Sequence, residues 1–248
     1  MNSSSCGENR SRNLLLSLAN YVLDLVFPPQ CVGCRHGGHV LCPSCLDAIR
    51  PLAPPFCWHC HTSLVSGDSC KQCQHYPLHI NGLRAVSAYQ EPLRTCIYAL
   101  KYRGNRRIAE PLGHLLAEAY LRYQLQADAI VPVPLHYERQ YQRGYNQAAL
   151  LARSCAERVG VPVCEDLVIR QRATPAQVGL GLRARVENVA GAFLCPSQFS
   201  APAMNKRSIV IIDDVCTTGA TIEACAAPLF AAGVRSIWGL VLARPGMR

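Results

Sequence analysis

From residue 83 onward, short β-branched apolar runs alternate with segments whose apolar positions recur every three to four residues. Leu83–Tyr89, Ala129–Pro134, Ser208–Ile212 and Ile237–Leu242 are predicted strands, and Ser208–Ile212 is the most continuous core run. Pro92–Tyr102, Ile108–Gln124, Gln147–Val159 and Thr221–Ala232 are predicted helices, the last with a blemish at Pro228 that would kink it. Strands alternating with helices imply an α/β fold: a mostly parallel sheet flanked by helices on both faces. Ligands of such sheets bind at the carboxyl ends of the strands. Ahead of residue 80 the pattern changes to one apolar run, Leu14 to Phe27, followed by a cysteine-rich stretch. Leu14, Leu15, Leu18, Tyr21, Val22, Leu25 and Val26 fall at helical spacing and predict an amphipathic helix docked on the protein. Peripheral contact with the inner face of a membrane is the alternative. The run spans 14 residues and contains Asn20 and Asp24, short of the roughly 20 needed to cross a bilayer. No small-residue cleavage site follows it. The expected organisation is an extension over 1–27, a cysteine-rich domain over 28–79 ending in a linker at 77–82, and an α/β domain over 80–248.

With 50% apolar and 17% charged residues and a mean hydropathy of +0.07, wholesale disorder is excluded. The 15 cysteines are an odd number in a chain long enough to build its own core. Both facts argue against a disulfide framework and for reduced thiols in a cytoplasmic protein. The net charge is +9, and residues 80–248 carry 20 Lys and Arg against 12 Asp and Glu. That excess favours anionic partners such as phosphates or nucleic acid.

Eight cysteines form four Cys-x-x-Cys pairs: Cys31/Cys34, Cys42/Cys45, Cys57/Cys60 and Cys70/Cys73. Two thiolates three residues apart on a tight turn bind one tetrahedral ion as a bite, and two bites close a four-sulfur site. Two zinc ribbons are therefore expected, most simply Cys31, Cys34, Cys42, Cys45 and then Cys57, Cys60, Cys70, Cys73. A cross-braced pairing of alternate bites stays open. All-sulfur sites leave no position for water, so the Zn²⁺ would be structural and supply folding energy to a segment with little core of its own. Two Zn²⁺ on eight thiolates would bring the net charge from +9 to about +5. Redox chemistry of the thioredoxin type normally shows one pair, not four. The six histidines of this region, at 36, 39, 59, 61, 75 and 79, read as solvated loop residues.

The sharpest motif runs from Ile209 to Thr221. A β-branched strand ends in Asp213 and Asp214, and Thr217-Thr218-Gly219-Ala220-Thr221 then opens a helix. Backbone amides, hydroxyls and a positive helix terminus suit a phosphate monoester. The two carboxylates suit neighbouring sugar hydroxyls, so one loop matches a ribose 5-phosphate. Along a regular strand consecutive acids point opposite ways, so sharing one ribose requires the strand to end there. Cys216, beside a helix N-terminus, is expected to have a lowered thiol pKa.

This motif resembles the phosphoribosyl-pyrophosphate signature of type I phosphoribosyltransferases. Leu100-Lys101-Tyr102-Arg103-Gly104, Val131-Pro132-Val133-Pro134-Leu135, Arg143-Gly144-Tyr145-Asn146-Gln147, and Thr174-Pro175 with Gln177, Arg185, Asn188 and Phe193 narrow the resemblance to the ComF/GntX family. So does a double zinc ribbon ahead of a transferase-like domain. The resemblance implies a type I phosphoribosyltransferase-like fold linked to natural competence and DNA utilisation. Asp213 and Asp214 would hold the ribose hydroxyls, and Thr217, Thr218, Gly219, Ala220 and Thr221 the 5-phosphate. Val133, Pro134 and Leu135 would form the pyrophosphate loop, followed closely by Arg143, Asn146 and Gln147. Residues 171–188 would form a hood that brings Arg183 and Arg185 to the pyrophosphate. Lys101 and Arg103 are further basic candidates. Purine-salvage relatives often have a carboxylate where Thr217 stands, so purine salvage loses support. The implied reaction displaces pyrophosphate from C1 of phosphoribosyl pyrophosphate, with Mg²⁺ and arginines stabilising the leaving group; no acceptor-activating base is evident. A second reading is a non-catalytic protein that handles single-stranded DNA and uses the pocket as a nucleotide or ribose-phosphate sensor, with Tyr98, Tyr102, Tyr141 and Tyr145 as stacking groups. In a third, the ribbons are an adaptor for a DNA-uptake helicase or channel.

Overall fold

The computed structural model describes residues 28–64, 70–174, 181–199 and 204–245. The helix expected within 14–27 lies outside the described residues, as do Pro175 and Gln177 of the hood. In chain order the helices are α1 (Pro43–Ala48), α2 (Lys71–His75), α3 (Leu93–Tyr102), α4 (Ala109–Arg122), α5 (Tyr137–Arg143), α6 (Gln147–Val159), α7 (Leu182–Val189) and α8 (Ala220–Ala231). The strands are β1 (Gly82–Ala88), β2 (Ala129–Pro132), β3 (Ile169–Arg170), β4 (Phe193–Leu194), β5 (Ser208–Val215) and β6 (Ser236–Arg244). Strands β1, β6, β5 and β2 form a parallel sheet in that order, and β3 pairs with β4 in a separate antiparallel ribbon.

The sheet is covered on both faces, as its unbroken apolar strands require. Val210, Ile212, Leu240 and Leu242 pack against Leu112 and Leu116 of α4 and Leu151 and Cys155 of α6. Ile209, Ile211, Ile237 and Val241 pack against Ile222, Cys225 and Leu229 of α8. Helix α8 continues through Pro228 to Ala231.

The cysteine-rich segment shares both of these cores. Cys31, Leu41, Cys42, Cys45 and Ile49 join the α4/α6 face, and Cys60, Leu78 and Ile80 join the α8 face. Between them the segment covers β1, the sheet's open edge. Leu83 N–H donates to the His59 carbonyl at 2.8 Å, Ala85 N–H to His61 Nδ1 at 2.9 Å, and Ser87 Oγ to the Arg50 carbonyl at 2.6 Å. An uncovered edge of this kind would invite pairing with other chains. Arg84 is buried here, its guanidinium 4.7 Å from the Trp238 ring and 5.4 Å from the Tyr123 ring.

One expectation is corrected. His61 is fully buried, and burial beside Arg84 and Arg244 lowers its pKa to about 3. It therefore stays neutral and accepts a hydrogen bond from the sheet, unlike a solvated loop residue. The segment 77–82, expected as the linker, is docked on the α/β part. Leu78 and Ile80 are buried, and Glu223 of α8 accepts from the His79 and Ile80 amides at 2.9 and 3.0 Å.

Candidate functional site

Strands β2 and β5 are neighbours, so their carboxyl ends deliver residues 133–135 and 213–221 side by side. Val133 N–H still donates to the Ile212 carbonyl at 2.9 Å. A cavity of about 270 Å³ opens at this point. Of the candidate residues, Val133, Leu135, Arg143, Gln147, Arg185, Asp213, Asp214, Thr217 and Thr221 line it. Lys101, Tyr102, Arg139, Arg170 and Val215 complete the wall. Thr218, Gly219 and Ala220 line a small crevice that adjoins it through Asp213, Thr217 and Thr221. Pro134 faces a neighbouring groove on the other side of Leu135. Asn146 stands behind the 133–135 loop. Its Nδ2 donates to the Val133 carbonyl at 3.1 Å, and its Oδ1 caps α6 by accepting from Ala148 N–H at 3.0 Å.

The strand does not end at the acid pair. Pairing with β6 carries β5 through Asp213 and on to Val215. Both acids nevertheless line the cavity, and the Asp213 side chain accepts from the Asp214 N–H at 2.9 Å. Asp214 is 2% exposed; Lys101 Nζ meets its Oδ1 at 2.8 Å, and its Oδ2 is buried with no hydrogen-bond donor. The Asp214 and Asp213 carboxylates outweigh the burial of Lys101 and hold its pKa up. Burial, and next the Asp214 charge, push Asp213 up to about 7 against the pull of Lys101.

The loop after β5 turns at Gly219, whose φ of 93° belongs to the left-handed region. A Cβ there would lie 2.7 Å from Leu78 Cδ2. Thr218 Oγ1 accepts from Ala220 N–H at 3.2 Å, forming the first turn of α8. Cys216 departs from expectation: it is buried, and burial raises its pKa despite the nearby Arg244. Arg183 is solvent-exposed and pairs with Glu187 at 2.8 Å, whereas Arg185 lies on the cavity wall. Sequence reading missed Arg139 and Arg170. Arg139 donates to the Thr174 carbonyl at 3.1 Å, and Arg170 bonds the Thr174 hydroxyl under the Phe193 ring. Their only signal was basic character in a region already rich in arginine.

A second hollow shares Lys101, Tyr102, Arg139 and Arg143 with the first. The Tyr98 and Tyr102 rings stand 5.0 Å apart beside it, with Arg103 over Tyr98 and Arg143 over Tyr102. Tyr102 is 64% exposed and Tyr141 90%. Tyr145, expected among the stacking groups, is instead buried, with its hydroxyl on the Leu100 carbonyl and Arg106 against its ring.

The cysteines gather as two sets, Cys31, Cys34, Cys42, Cys45 and Cys57, Cys60, Cys70, Cys73, the sulfurs of each within 4.8 Å of one another. Four thiolates about 2.3 Å from one Zn²⁺ would stand about 3.8 Å apart. The observed Sγ–Sγ separations include 3.6 Å for Cys34–Cys42, 3.8 Å for Cys57–Cys73 and 3.5 Å for Cys60–Cys70. Gly33 leaves room for the first set, since a Cβ would lie 2.7 Å from Cys45 Sγ. Cys42 N–H points at Cys31 Sγ from 3.3 Å, as amides do around a bound thiolate. The donors fit structural zinc in both sites.

Sheet, cleft and cysteine clusters together define a parallel α/β protein with a cleft at the carboxyl ends of its strands and two four-cysteine sites of the zinc-ribbon kind. A family profile described as the Double zinc ribbon domain matches residues 22–74. Competence protein F of Haemophilus influenzae is 33% identical over 227 residues, covering 86% of this chain and 97% of that protein. The DNA utilization protein YhgH of Escherichia coli K12 is 32% identical over 225 residues, covering 86% and 96%. A purine phosphoribosyltransferase from Pyrococcus horikoshii superposes with a TM-score of 0.35 at 16% identity, covering 55% of this chain and 82% of that one. On the strength of the sequence relatives, the chain belongs to the ComF/GntX family of competence and DNA-utilisation proteins. Among the described residues no helix is long and apolar enough to cross a membrane.

Proposed function

We propose that the cleft binds phosphoribosyl pyrophosphate or a related ribose phosphate and serves DNA uptake or utilisation, the roles named in its relatives. The observation that carries this reading is Asp214. A buried carboxylate oxygen without a donor is costly, and a ribose hydroxyl arriving beside the 217–221 loop would satisfy it. The loop would take the 5-phosphate. Val133, Leu135, Arg143 and Arg185 would face the pyrophosphate, and Arg139 and Arg170 add positive charge to that wall. Mg²⁺ carried by the pyrophosphate would neutralise part of its charge. The chain's own part is to orient C1 of the ribose toward the open side of the cleft and to hold the departing anion.

The test is calorimetric titration with ribose 5-phosphate and with phosphoribosyl pyrophosphate plus Mg²⁺. Losing a hydrogen bond to a carboxylate costs about 1.5–3 kcal/mol. Asp214→Asn should therefore weaken both ligands by roughly 10- to 150-fold. Arg185→Ala should weaken only the pyrophosphate-bearing one. Wild-type affinity in both folded variants would overturn the assignment. A pyrophosphate-release screen over bases and ammonia then separates transferase from sensor.

The exposed Tyr98–Tyr102 pair and its arginines favour a second reading, single-stranded DNA laid along the hollow beside the cleft. Binding should fall steeply between low and high salt. Salt-independent binding, or none at low salt, would count against it.

A further inference from the structure

The phosphate end of the cleft is held from behind by the second cysteine cluster, through two residues outside the cleft. We infer that Gln72 and Arg244 are positioning residues that join the Cys57–Cys73 metal site and the 216–221 loop into one coupled unit, so that filling either site tightens the other. The ligand half of this statement rests on the proposed reading of the loop as a phosphate cradle.

Gln72 lies in α2 between the ligands Cys70 and Cys73. Its Nε2 donates to the Thr218 carbonyl at 2.8 Å, and its Oε1 accepts from Arg244 at 3.2 Å and from the Thr62 hydroxyl at 3.3 Å. Arg244 ends β6 at 2% exposure. Its Nη2 donates to the Thr217 carbonyl at 2.7 Å and to Thr62 Oγ1 at 3.0 Å, and its Nη1 to Cys216 Sγ at 3.6 Å. Thr62 in turn touches Cys60 Sγ at 3.1 Å. Two successive loop carbonyls are thus tied to the ribbon, one through each side chain.

The consequence follows from peptide geometry. The carbonyl and N–H of one trans peptide point opposite ways. Fixing the Thr217 carbonyl toward Arg244 aims the Thr218 N–H away from the ribbon. The same contacts are available only while α2 and the 57–62 turn keep their places, and those places depend on the four-sulfur site. Leu78 against Gly219, and Glu223 on the 79–80 amides, fasten the same region. The first cluster packs in the core on the opposite face of the sheet, which makes it an internal control.

The experiment uses the full zinc-loaded chain, with Gln72→Leu and Arg244→Lys, metal content checked in each. Hydrogen exchange reads the amides of 216–221. Cysteine alkylation during chelation, mapped by peptide mass, reads zinc release from each cluster separately, with and without ribose 5-phosphate. In wild type, saturating ribose 5-phosphate should slow alkylation of Cys57, Cys60, Cys70 and Cys73 about fivefold or more. Cys31, Cys34, Cys42 and Cys45 should be unaffected. Gln72→Leu should abolish that slowing and speed loop exchange with zinc still bound. Arg244→Lys, which keeps the charge but not the fork of donors, should lie between and carries the comparison if Gln72→Leu does not fold. Equal slowing at both clusters, or loop exchange unchanged in the variants, would overturn the inference. If calorimetry shows no ribose 5-phosphate binding while loop exchange responds as expected, the cradle reading falls and the ribbon–loop connection stands.

Discussion

Lys101 answers one carboxylate of the acid pair directly, while Asp213 turns back on its neighbour's amide and faces Arg170 from further off. Burial and the Asp214 charge then govern the titration of Asp213. Asp213, raised from an ordinary value near 3.8 to about 7, binds a proton more tightly in the folded chain than in the unfolded one. Between about pH 4 and 7 the folded state therefore holds the extra proton, and this group's contribution to stability falls as pH rises through that window. Above about pH 7 its cost is fully present. Asp213→Asn carries no such cost. Without ligand, its melting temperature should exceed that of wild type at pH 8, with the gap closing toward pH 4. A gain of about 1 kcal/mol would appear as roughly 2–4 °C in a chain of this size. A difference that does not change with pH would mean that Asp213 titrates normally.

At the scale of elements, most of the fold was legible because its signals are local. Helix α6 lies where the apolar spacing placed it, from Gln147 to Val159, and Asn146 supplies its cap. Strand β5 was read too short. Asp is a poor strand former, so the run seemed to stop at Ile212, but the long partner β6 supplies ladder bonds as far as Val215. The 217–221 loop was legible for the same reason of locality: strand, acids, loop and helix occupy 13 consecutive residues. What escaped depends on contacts between distant segments. Gln72 and Arg244 are 172 residues apart, and in sequence one resembles a surface glutamine and the other a charge near a chain end. His61 was misread likewise, since only the fold sets it beneath β1. Periodicity shows which face of an element is buried; it does not show which polar side chain closes a gap between two segments.

Across the whole molecule, the cysteine-rich segment behaves as part of the sheet's packing. A ribbon with its own small core would unfold alone when stripped of zinc, leaving residues 80–248 intact. Here Cys31, Cys42 and Cys45 sit in the same core as Val86, Leu93 and Leu112, and Cys60 in the same core as Leu83 and Ile222. The carbonyls of Arg50 and His59 and the His61 ring satisfy polar groups of β1. Losing the metals frees the turns that present these groups, so the open edge of the sheet should loosen as well. Protein purified without chelator should carry about two equivalents of zinc. Chelation should raise hydrogen exchange at the Leu83 and Ala85 amides together with residues 31–73, and lower the melting temperature of the α/β part. Strand β2, at the far edge, should keep its protection longest, because β5 and helix α6 hold it independently of the ribbons. Zinc-free protein as purified would remove the ribbons. Full protection at Leu83 and Ala85 after complete zinc loss would show instead that the segment is only appended to the sheet, and that β1 holds its place through β6 alone.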